Sequence, residues 1–137
     1  MQENLQVSIN RGKIGLVPDS GGTYTLPRLI GFQKATALMM LGDKVLAEDA
    51  EKMGMIFKAV DDAELQTVAF QTAKTLSEMP TKGLGLTKRL LNKSFSNTFE
   101  NQLQQEQITQ AEAGQTDDYN EGVKAFLEKR KAVFKGK

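Results

Sequence analysis

The chain has 137 residues, enough for a domain that buries roughly 68% of the surface its unfolded form exposes. Its 39% apolar and 26% charged residues fit neither a disordered nor a membrane class. A net charge of +1, from 18 basic and 17 acidic side chains, argues against coating nucleic acid or anionic lipid, so no nucleic-acid and no membrane partner is expected. Cysteine and histidine are absent, which removes thiolate nucleophiles, disulfides, thiol or imidazole metal ligands and imidazole bases and leaves carboxylates as the acid–base agents.

The opening "MQENLQVSINRGK" has no long apolar core and no small-residue cleavage pattern, so a cytoplasmic protein is expected. Within it Leu5, Val7 and Ile9 alternate with polar residues and predict one short half-buried strand. A bend follows in "GLVPDSGG", and "TYTLPRLIGFQKATALMMLG" then predicts two short helices divided near Gly31 and stopped at Gly42. Pro27 fits the first turn of a helix or a kink. "LAEDAEKMGMIFKAV" predicts a turn or two of helix ended by Gly54, then an extended run from Met55 to Val60, where β-branched and aromatic residues favour a strand.

The remainder reads as helical. Asp61 or Asp62 can cap a helix with Leu65, Val68, Ala69 and Leu76 on one face. Pro80 and Thr81 open a second helix through Leu86, Leu90 and Leu91, weakened early by Gly83 and Gly85 and ending near Asn92 to Ser96. Phe95, Phe99 and Leu103 lead into a glutamine-rich helix that ends around Gly114. Thr116 and Asp117 can cap the last helix, in which Val123, Phe126, Leu127 and Arg130 follow at the spacing of one apolar face. Met39, Met40, Met53 and Met55 suit core gaps.

One carboxylate, Asp19, stands at the bend. Taken alone, it fits an N-cap for the helix after Gly22 or a turn acid bonding its own backbone, and Gly21 with Gly22 need only permit the turn. The basic set Lys124, Lys129, Arg130, Lys131, Lys135 and Lys137, interspersed with Glu121 and Glu128, reads as a solvated helix face, and Phe126 as core.

Three segments, "IGLVPDSGGTYTLPRLIG", "ALMMLGDKVLAEDAEKMGMIFKAV" and "EGVKAFLEKRKAVFKG", occur in an order that resembles the crotonase, or enoyl-CoA hydratase/isomerase, superfamily over residues 14 to 136. Family members are longer, and this chain resembles their second half. The resemblance implies a mainly α chain, the C-terminal part of a crotonase-like α/β fold, with one or two short strands and a multi-helix region. It divides the chain into the end of the core at 1–60 and a helical trimerisation-type region at 61–137.

It also implies a substrate, an acyl-CoA thioester, with coenzyme A part of that substrate and neither a separate cofactor nor a metal. At the position of Asp19, family isomerases carry an acid that faces the acyl chain and moves a proton between carbons of an enoyl-CoA, so Asp19 is expected to act as the base in a dry acyl pocket. Hydratases commonly have a glutamate where this chain has Arg11, and no carboxylate lies between Glu3 and Asp19, so isomerase is favoured over hydratase. Pro18, Phe126 and Lys129 match substrate-binding positions, the last two meeting the coenzyme A nucleotide. The upstream half of the family supplies the two backbone N–H groups that hold the thioester oxygen, and without such donors the 137-residue chain is expected to be inactive by itself. A homo-oligomer is expected, a trimer or a multiple of it. The alternative is a non-catalytic helical oligomerisation module or truncated remnant.

Overall fold

The computed structural model describes residues 6–8 and 15–137. Leu5, Ile9 and Arg11, on which parts of the sequence reading rest, lie outside the described residues. Two compact units divide the chain, Met1–Ala63 and Glu64–Lys137.

In the first unit the backbone of β1 (Gln6–Ser8) pairs antiparallel with β2 (Lys44–Leu46), Val7 opposite Val45. Between these strands lie α1 (Gly22–Ile30) and α2 (Phe32–Leu41), and α3 (Ala47–Lys52) follows β2 directly. The core is made where α1 meets α2: Leu26, Ile30 and Ala35 are buried, and Leu38, Met39, Met53 and Met55 pack against them. Gly31 separates the two helices, and Gly42 closes α2 in the left-handed region, φ 68°, its N–H donating to Leu38 O at 3.0 Å. A side chain at Gly42 would meet the Cβ penalty that glycine avoids. Pro27 lies inside α1, past the first turn, where its missing N–H removes a rung of the helix.

The strand expected at Met55–Val60 is not formed, because the backbone donors there go elsewhere. Met55 N–H and Ile56 N–H both donate to Ala50 O, at 2.8 and 3.4 Å, and Ala59 N–H donates to Glu51 Oε2 at 2.7 Å. The partner of β1 is instead Lys44–Leu46, a segment with too little alternation to read as a strand.

In the second unit four helices follow: α4 (Leu65–Ser77), α5 (Thr81–Ser94), α6 (Phe99–Ala113) and α7 (Asp117–Leu127). The N-cap of α4 is Glu64, without a side-chain cap bond, so neither Asp61 nor Asp62 caps it; both precede that residue in the chain. Thr98 caps α6 by accepting from Asn101 N–H, and Thr116 caps α7 by accepting from Tyr119 N–H at 3.0 Å. Helices α5 and α6 pack together around an open groove of about 550 Å³ that includes Leu90, Leu91 and Leu103. Neither α4 nor α6 has a buried residue, and Phe70, Leu76, Phe99 and Ile108 are exposed along them.

The inner face of α7 differs from the apolar stripe expected. Asp118 and Ala125 are buried, Glu121 and Gly122 are half-buried, and Val123, Phe126 and Leu127 face solvent. Small and acidic residues line the inner face because residues 128–137 turn back over it. Phe134 lies against Gly122, where a Cβ would come within 3.6 Å of the ring. Asp118 accepts from Lys135 N–H at 2.6 Å and Gly136 N–H at 2.8 Å, while its own N–H donates to Lys137 O at 3.0 Å. Arg130, expected on the helix face, lies past the end of α7.

Candidate functional site

Asp19 opens a tight turn. Its carbonyl accepts from Gly22 N–H at 2.9 Å, and the two residues between, Ser20 and Gly21, have φ of 54° and 79°. Positive φ at both central positions is the signature of a type I′ turn, which glycine and short polar residues tolerate best. The same Gly21 is the N-cap of α1, and no side chain makes a cap bond there. Asp19 therefore does not cap α1. Its carboxylate accepts from Ser20 Oγ at 3.2 Å, and the residue is exposed to solvent rather than enclosed in a dry pocket. Pro18 is half-buried on the same turn, and a Cβ at Gly22 would sit 3.8 Å from Pro18 Cβ and 4.0 Å from Met39 Cε. The turn that carries the acid thus adjoins Met39 of the apolar cluster.

Phe126 and Lys129 belong to the second unit. Phe126, in the last turn of α7, is 83% exposed, which rules it out as a core residue of this unit. Lys129 has φ 53° and ends α7 in a Schellman motif: Lys129 N–H donates to Phe126 O at 3.2 Å and Arg130 N–H to Ala125 O at 3.0 Å. Helix α3 ends the same way, with Gly54 N–H to Glu51 O at 2.9 Å and Met55 N–H to Ala50 O at 2.8 Å, but its left-handed residue is a glycine. Among the described residues only Ser20 and Lys129 are non-glycine residues at positive φ. One adjoins Asp19 and the other is itself a candidate, and such outliers concentrate at functional sites.

Sequence reasoning missed the group that surrounds Lys129. Arg130 binds Glu121 through two parallel contacts, Nη1 to Oε1 at 2.6 Å and Nη2 to Oε2 at 2.9 Å, and its Nε donates to Glu128 Oε2 at 2.6 Å. Val133 N–H adds a fourth bond, to Glu121 Oε1 at 2.9 Å. The hydrogen bond from Arg130, then that from Val133, lowers the Glu121 pKa from 4.5 to about 2, while the two carboxylates raise that of Arg130. No periodic spacing announces a pair that joins the middle of a helix to the chain beyond its end. Among the described residues no three histidine, cysteine, aspartate or glutamate side chains are grouped to hold a metal ion, and no helix is long and apolar enough to cross a membrane.

The family model for enoyl-CoA hydratase/isomerase matches residues 1–137. The chain is 47% identical over 125 residues to the 1,2-epoxyphenylacetyl-CoA isomerase of Escherichia coli, covering 91% of this chain and 48% of that protein. Among solved structures, an enoyl-CoA hydratase/isomerase from Cupriavidus metallidurans superposes with a TM-score of 0.88 at 31% identity, over 96% of this chain and 49% of the other. An enoyl-CoA hydratase from Bacillus anthracis does so with a TM-score of 0.90 at 27% identity, over 96% and 51%. The chain thus spans about half the length of the proteins it matches. Its helix-dominated architecture is part of a crotonase-like α/β fold, and the chain belongs to the enoyl-CoA hydratase/isomerase family.

Proposed function

We propose that this chain carries the proton-transferring acid of an enoyl-CoA isomerase, acting on an acyl-CoA thioester. The observation that carries the reading is Asp19, exposed on a turn with left-handed Ser20 beside it, in a chain of this family. In the reaction the Asp19 carboxylate takes a proton from the carbon between the thioester carbonyl and the double bond of a 3-enoyl-CoA. The electron pair spreads over the thioester oxygen and the double bond, and the proton returns at the far carbon, leaving a 2-enoyl-CoA. Such an α-proton becomes removable only when donors hold the developing enolate, and the resemblance assigns those donors to the upstream half of the fold. The named isomerase among the relatives and Arg11 at the position of the hydratase glutamate support isomerisation over hydration.

Phe126 and Lys129 meet the coenzyme A nucleotide in this reading, the exposed ring against adenine and the ammonium against phosphate. Coenzyme A enters as part of the substrate, with no separate cofactor, and the cytoplasm is the proposed compartment. Titration of the chain with coenzyme A tests this half of the reading: binding that Lys129→Ala weakens supports it, and affinity indifferent to Lys129 contradicts it.

A second reading, a self-associating helical module, is favoured by one observation. Large apolar side chains remain exposed on three helices of the second unit, Phe70 on α4, Ile108 on α6 and Leu127 on α7. Exposed apolar surface on this scale marks an interaction site. A homo-oligomer, a trimer in the first instance, is the expected state. Sedimentation equilibrium should give a mass above the 15.1 kDa of one chain, and a monomer at high protein concentration would refute it.

A further inference from the structure

The backbone of Lys129 raises a question that helix capping does not answer. A left-handed residue with a side chain is strained by its Cβ, and the same motif at the end of α3 avoids that strain with Gly54. Something must hold Lys129 where a glycine would rest without strain. The residues on either side of it are tied to each other, since Arg130 Nε donates to Glu128 Oε2 at 2.6 Å, so Lys129 forms the apex of a three-residue loop closed by that contact. The loop is in turn fixed to the body of α7 by the fork of Arg130 on Glu121, and Glu121 also receives Val133 N–H from the returning chain. A forked guanidinium defines direction as well as distance, which a single ammonium does not.

We infer that Glu121 and Arg130 are positioning residues, which hold Lys129 in its left-handed conformation and thereby set where its ammonium leaves the chain to meet the phosphate of coenzyme A. The inference rests on the reading of Lys129 given above and adds the device that orients it. The clamp joins three elements of one local structure: the middle of α7 through Glu121, its cap through Glu128, and the returning segment through Val133. A lysine placed by such a clamp meets its ligand with less ordering left to do, which is where preorganised sites gain affinity.

The test is calorimetric titration of the 137-residue chain with coenzyme A, together with backbone carbon chemical shifts of Lys129, in wild type, Lys129→Ala, Glu121→Gln and the double variant. Removing one charge-assisted phosphate contact in Lys129→Ala should weaken binding about tenfold or more. Glu121→Gln should produce most of that loss and move the Lys129 shifts out of the left-handed range. In the Lys129→Ala background it should produce no further loss, the mark of two residues acting through one contact. Arg130→Lys, which keeps the charge and loses the fork, should fall between. A Glu121→Gln chain with unchanged affinity and unchanged Lys129 shifts would overturn the inference, as would an equal loss in both backgrounds, which signals general loosening. If wild type fails to bind coenzyme A, or Lys129→Ala binds as tightly as wild type, the nucleotide reading of Lys129 falls and with it the role given to the clamp. The Lys129 shifts in Glu121→Gln would then still tell whether the clamp sets the backbone.

Discussion

The carboxylate of Asp118, buried to 3% exposure on the inner face of α7, receives the N–H of Lys135 at 2.6 Å and that of the next residue at 2.8 Å. A side chain in the second position of a helix thus ties down a segment eight and nine residues beyond the helix end. Replacing it with alanine leaves two backbone donors without their acceptor, and Asp118→Ala should cost about 2 kcal/mol in chemical denaturation. Hydrogen exchange at Lys135 and Gly136 should become fast in the variant. Asp118→Asn, which retains one acceptor oxygen, should lose less. Slow exchange at both amides in Asp118→Ala would show that other contacts hold the segment.

Glu121 makes the stability of the chain depend on acid. Its pKa falls from 4.5 to about 2 because Arg130 and Val133 bind its charged form. The unfolded chain therefore takes up this proton first as pH falls, so the stabilisation is fully present above pH 4.5 and is lost as pH approaches about 2. Denaturation midpoints of wild type should decline across that window more steeply than those of Glu121→Gln, which has no proton to take up there. Parallel curves would mean that the contact with Arg130 does not persist in solution.

Lys129 offers a trade between stability and binding. Glycine at this position relieves the left-handed strain, and Lys129→Gly should raise stability by up to about 1 kcal/mol in thermal or chemical unfolding. Coenzyme A affinity should fall in the same variant, since the ammonium is gone. Lys129→Ala, which keeps the strain, should lose affinity without the gain in stability. A Lys129→Gly chain less stable than wild type would show that the lysine side chain itself supports the fold.

What could be read in advance followed from local chemistry. Gly42 as a helix stop, Gly54 after α3 and Thr116 as the cap of α7 are decisions made within a few residues, and the structure contains each of them. Periodicity failed where the covering element was the chain's own tail. On α7 the large residues Val123, Phe126 and Leu127 looked like the inner face, yet the buried positions are Asp118 and Ala125, because the returning segment fits over small and acidic residues. At Met55–Val60 strand propensity lost to specific acceptors, the Ala50 carbonyl and the Glu51 carboxylate. For the candidate site, the turn at Asp19 was visible in its glycines, and its left-handed Ser20 was not. The clamp on Lys129 was hidden altogether, since Glu121 and Arg130 meet only after the chain reverses.

Proton transfer by Asp19 is tested most directly by the conversion of a 3-enoyl-CoA to the 2-enoyl-CoA, followed at saturating substrate with this chain joined to the upstream half of the family fold, in wild type and Asp19→Asn. The variant should reduce kcat by roughly 10²-fold or more, since general acid–base catalysis supplies about 10²–10⁴, and should leave KM nearly unchanged because the amide has the carboxylate's shape. An Asp19→Asn protein that turns over at the wild-type rate would contradict the assignment of this carboxylate as the group that moves the proton.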